Sequence, residues 1–164
     1  MSILGILRRL VYLLALLCFV VLAITGFYPL LIQGKHISGY LMMVHATFAP
    51  VFAICLAVLT VMWASRCRLD KSDFPLIQRI LKRFTNLNIP SEPIPKSSLL
   101  GQKIAFWLIV FLALPLILSI ILSMFPLAGT CGQELLLATH RNVAIVFAVV
   151  AVIHTCLVVR AAKK

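Results

Sequence analysis

Four apolar runs constrain this chain more than any other feature. Residues 10–31, 39–64, 103–125 and 135–159 are nearly free of charge. Each is long enough to cross about 30 Å of hydrocarbon, which takes roughly 20 apolar residues. In hydrocarbon a backbone has no water to bond, so such a run folds as a helix that satisfies its own N–H and C=O groups. The expected fold is therefore all-α, an integral membrane four-helix bundle. Composition excludes a soluble alternative. The 164 residues are 63% hydrophobic and 12% charged, against about half apolar and a quarter charged in soluble domains. That length allows one domain, 1–164. The first run is too long for a signal peptide and no small-residue cleavage site follows it, so it should stay in the mature protein.

The net charge of +11 does not point to nucleic acid, because the basic residues cluster beside the apolar runs. Such clusters set orientation in the membrane or touch anionic lipid. Thirteen of the fifteen Lys and Arg fall on one side of the four spans, including Arg8, Arg9, Arg66, Lys103, Arg160 and Lys164. Only Lys35 and Arg141 fall on the other. By the positive-inside rule the N-terminus, the central loop 65–102 and the C-terminus are cytoplasmic. The short loops near Gly34 and Gly129 then face outward, as in a multi-pass membrane protein. Within the central loop, 73–84 reads as an amphipathic helix. Leu76, Ile77, Ile80, Leu81 and Phe84 share one face, and Arg79, Lys82 and Arg83 share another. A helix of this kind lies in the membrane interface. Pro90, Pro93 and Pro95 then stiffen an extended return to the third span.

Five cysteines show no CxxC, no CxxCH and no paired spacing, which argues against zinc, iron–sulfur and covalently attached haem. Histidine is more informative. His45, His140 and His154 fall inside the spans, while Asp and Glu do not. Ionisable groups in a bilayer are costly and usually functional. Without carboxylates for a proton or ion path, metal ligation is the leading use for neutral imidazole.

His140 and His154 lie fourteen residues apart on one span. That is within about 40° of a whole number of turns, with about 21 Å between them along the axis. The pair suits two sites, one near each surface. His45 and His140 enter from outside on different spans, about six and five residues deep, or roughly 7–10 Å. Equal depth would let them ligate one haem iron from opposite faces. Arg141 and Lys35 lie near the outer surface, where they could pair with haem propionates. His154 lies near the inner end, where a haem would need a second ligand from another helix. The first span offers Tyr12 at the matching position and the second offers Leu59. The inner site is half-built, and His154 could instead bond a quinone. His36, in the outer loop, reads as a solvated interfacial residue.

These features resemble the cytochrome b subunit of membrane-bound formate dehydrogenases, within the wider group of four-helix bacterial cytochromes b. Ala23, Ile24, Thr25 and Gly26 resemble the small-residue end of that family's first span. The stretch from Gly39 to His45 resembles its second-span ligand region. Gly101-Gln102-Lys103-x-x-Phe106-Trp107 resembles the start of its third span. His140 and His154 match its fourth-span ligands. The resemblance implies an outer haem b on His45 and His140. It also implies an inner haem on His154 and a first-span histidine, which this chain replaces with Tyr12. It places a quinone site near the inner haem and the third-span start, around Gln102 and Lys103. Leu99 stands where some members have Asn.

The leading expectation is a haem b subunit that passes electrons between an externally facing partner, a cytochrome or iron–sulfur protein, and membrane quinone. The protein supplies ligands and electrostatics, and the haem does the redox chemistry. The outer loops are too short for a catalytic domain, which favours a subunit of a larger complex over an enzyme alone. Two alternatives stay open: a free-standing superoxide oxidase–like cytochrome, and a cofactor-free membrane anchor.

Overall fold

The computed structural model describes residues 3–32, 34, 37–70, 73–75, 77–78, 98–125 and 129–162. Among them it contains four long helices and no strand. These are α1 (Ile3–Ile32), α2 (Gly39–Ala64), α3 (Ser98–Ser123) and α4 (Gly129–Ala162). Each is long and apolar enough to cross a membrane. The α2 limits coincide with the apolar run. α1 and α4 continue past theirs at both ends, and α3 begins five residues before its run and ends within it at Ser123, because a helix ends where backbone pairing ends and not where hydropathy does. The first six residues of α4, from Gly129 to Glu134, are mostly polar. His140 is therefore eleven residues from the start of the helix, but still five residues beyond Leu135, where the apolar run begins.

The outward surfaces are apolar. Val61 is 80% exposed and Phe111 is 74% exposed. A water-facing helix would place charge there. Hydroxyls inside the spans bond back to their own helix. Thr47 donates to the Met43 carbonyl, Thr60 to Leu56 and Thr155 to Ala151, all at 2.8 Å. This removes the penalty of an unpaired hydroxyl in lipid. Pro29, Pro50 and Pro115 lie inside helices, a placement that membrane helices tolerate. Gly39 and Gly129, the first residues of α2 and α4, have φ of +60° and +62°. Those backbone values strain any residue with a Cβ.

The chain divides into two compact units, Met1–Ser65 and Arg66–Lys164. In the first, α1 and α2 run antiparallel. Tyr12 stacks on Trp63 with ring centroids 5.7 Å apart, and Phe19 meets Phe52 at 6.2 Å. Ala15, Cys55 and Leu59 form a buried cluster against which Val11 and Tyr12 pack. In the second unit α3 and α4 run antiparallel, with Leu100, Ala105, Phe106, Ile109, Ala113 and Phe147 buried. The residues before α3 fold back on its start, and the Asp73 carbonyl accepts the Ile77 N–H at 3.0 Å. The rest of the expected interfacial helix 73–84, and Pro90, Pro93 and Pro95, lie outside the described residues.

Candidate functional site

The buried polar side chains among the described residues are Thr25, Ser119 and His154. All three belong to the histidine sites.

In the first unit, His45 of α2 meets Thr25 of α1, with Nδ1 2.9 Å from the hydroxyl oxygen. The same oxygen lies 2.8 Å from the Val21 carbonyl. Two acceptor oxygens approach that closely only with a proton between them, so Thr25 donates to Val21. Its oxygen then accepts from His45, which fixes the proton on Nδ1 and the lone pair on Nε2. Gly26 makes room for the ring. A Cβ at Gly26 would sit 3.3 Å from His45 Cε1.

In the second unit, His140 of α4 reaches the main chain of α3. Its Nδ1 lies 2.9 Å from the Leu116 carbonyl, which can only accept. Nδ1 therefore carries the proton here too. Ser119 lies 3.4 Å from that nitrogen and donates to the same carbonyl at 3.0 Å. The two rings are thus prepared alike, each in one tautomer with Nε2 as the donor atom. Imidazoles that ligate metals are typically held in this way. His154 differs. It is 8% exposed, and its buried Nδ1 has no hydrogen-bond partner among the described residues.

The other expected site residues are distributed as follows. Arg141 is exposed beside His140. Lys35 and His36 lie outside the described residues. Tyr12 lies in the apolar contact between α1 and α2, packed with Leu59. The two positions at which an inner ligand would be sought therefore share one hydrophobic cluster. Gln102 and Lys103 make structural ties. The Gln102 amide donates to the Leu157 carbonyl of α4 at 3.0 Å. Lys103 donates to Asp73 at 2.8 Å and lies 4.0 Å from Asp70. The Lys103 ammonium and the Asp70 N–H hold the Asp73 carboxyl below its ordinary range. Trp107 donates from its indole N–H to the Cys67 carbonyl at 2.8 Å.

Those contacts account for the spacing in the Gly-Gln-Lys-x-x-Phe-Trp stretch. Residues four apart share a helix face. Gln102 binds α4, and Phe106, one turn on, is 5% exposed. Lys103 and Trp107, one turn apart on the next face, hold the segment that precedes α3.

A family model, the prokaryotic cytochrome b561 family, matches residues 5–163. The chain belongs to the prokaryotic cytochrome b561 family. Searches of curated proteins and of solved structures give no match. Membership makes this cytochrome a haem b protein of membrane electron transfer. With its four membrane-length helices, it is a multi-pass bacterial membrane protein in contact with the bilayer.

The residues fit that cofactor. Haem iron takes four nitrogens from the porphyrin and needs only axial ligands from protein. Among the described residues no three His, Cys, Asp or Glu gather as for a bare metal ion. Single imidazoles with fixed tautomers, His45 and His140, are the donor type required. The His154 nitrogen, buried and unpaired among the described residues, marks a third place where a polar partner is wanted.

Proposed function

We propose that this cytochrome is a haem b subunit of a membrane redox complex, similar to the cytochrome subunit of membrane-bound formate dehydrogenases. It transfers electrons between an externally facing cytochrome or iron–sulfur partner and membrane quinone. His45 and His140 together ligate an outer haem. When bound, the haem supplies a one-electron redox couple. The observation that carries this reading is the matched preparation of the two imidazoles. Each has its Nδ1–H bonded to an oxygen of the neighbouring helix, which leaves Nε2 as the donor.

The other residues take supporting roles. Arg141, and Lys35 in the outer loop, neutralise the propionates. His154, about 21 Å along α4 from His140, serves the inner end as a second haem ligand or as a hydrogen-bond partner for quinone. Tyr12 bounds that end from α1. Gln102 and Lys103 hold the start of α3 beside it.

The test is the haem b to protein ratio of the chain expressed alone, with a reduced-minus-oxidised spectrum. A ratio of one supports the outer site by itself. A ratio of two adds an inner haem on His154. A ratio of zero leaves only a membrane anchor and overturns the proposal.

A further inference from the structure

We infer that Thr25 is a positioning residue that fixes the tautomer of His45 and tunes the redox potential of the haem it ligates. The inference rests on the haem reading above. It goes beyond that reading by assigning a role to a side chain that touches no iron.

Thr25 lies on α1 and is 5% exposed. A buried threonine in a membrane helix normally completes its bonding through the carbonyl three or four residues back. Thr25 does so, at 2.8 Å to Val21, with Leu22 at 3.3 Å as the other acceptor. The back-bond consumes the only hydroxyl proton. The oxygen keeps its lone pairs, and one faces His45 Nδ1 at 2.9 Å. Back-bonding therefore makes Thr25 an acceptor, not a donor, toward the imidazole.

Two consequences follow from that polarity. The proton is held on Nδ1, so Nε2 is the ligating nitrogen. Withdrawing the Nδ1 proton toward an oxygen also makes Nε2 more basic. A more basic ligand stabilises the ferric charge and lowers the reduction potential. Gly26 belongs to the same arrangement. With 3.3 Å from a Cβ at that position to His45 Cε1, a larger residue would press the ring away from Thr25. His140 has no equivalent side chain to lose, since its acceptor is the Leu116 main-chain carbonyl. The adjustable half of the ligand pair is His45.

The test compares Thr25→Val, which keeps the shape and loses the hydroxyl, with Thr25→Ser, which keeps the hydroxyl. Haem content and midpoint potential are read by redox titration of the purified full chain. The valine variant is expected to hold haem at a raised midpoint potential. The expected shift is about tenfold in the reduced-to-oxidised ratio at fixed poise, or about 59 mV for one electron. The serine variant is expected to match the wild type. Should the valine variant bind no haem, Thr25→Ala is titrated in its place. Loss of haem from both, with normal binding in the serine variant, also supports the hydroxyl's hold on the ring. An unchanged potential in a haem-loaded valine or alanine variant overturns the inference, as does a serine variant that behaves like valine. Full haem content in His45→Ala would instead show that the haem reading had failed.

Discussion

His45 and His140 are held by different atoms of their neighbours, and this decides what single substitutions do. Either His45→Ala or His140→Ala is expected to abolish the outer haem, measured as haem per protein. His154→Ala is expected to leave that haem in place, because about 21 Å of helix separates it from His140. Ser119→Ala should change haem content little, since the Leu116 carbonyl still accepts the His140 proton. Gly26→Ala should weaken haem retention about tenfold, the usual scale for disturbing a ligand's support. The three intramembrane histidines were legible in the sequence, because an ionisable residue stands out in an apolar run. Their hydrogen-bond partners were not. Thr25 is twenty positions from His45, and nothing in a single sequence pairs them except the hydroxyl itself, beside a glycine at the end of a span.

The helices were legible from hydropathy, and α2 to the residue. The extra turns of α1 and α4 were not, because Arg8, Arg9 and Glu134 end an apolar run without ending a helix. The glycines that begin α2 and α4 make a further prediction. Gly39→Ala or Gly129→Ala forces a Cβ into the left-handed region and should cost about 1–2 kcal/mol, read as a lower thermal midpoint. Gln102 and Lys103 read as neighbours of a haem or quinone, and the structure adds a structural role for each. The signal for the second was present. Three of the four acidic residues in the chain, Asp70, Asp73 and Glu92, stand in the basic central loop, and Asp70 and Asp73 face Lys103. The Asp73 carboxyl is held below its ordinary range. Its contribution is therefore present above the unfolded carboxylate pKa and lost as pH falls through the lowered folded value. Hydrogen exchange at Asp70 and Ile77 should stay slow on acidification until below the ordinary carboxylate range. In Asp73→Asn that acid-dependent step should be absent.

For the whole molecule the chief constraint is the uneven placement of charge. It expects Cys131 outside and Cys67 inside, and both lie near helix ends. Cys131 is exposed and Cys67 half-buried. In oriented vesicles a membrane-impermeant thiol reagent should label Cys131 from the outer face. It should reach Cys67 only after the vesicles are opened. Reversed labelling would invert the topology and put the outer haem on the cytoplasmic side.

The start of α3 carries a mechanical consequence. Gln102 and Lys103 are adjacent, so they point about 100° apart, and each is in phase with the residue four places later. One stripe grips α4 and the other grips the segment before α3. A single alanine inserted between Lys103 and Phe106 would put the two halves of each stripe out of step by that same angle. No rotation of the helix would restore both grips at once. A substitution at Gln102 or Trp107 removes one tie, whereas the insertion forces the helix to choose between its two neighbours.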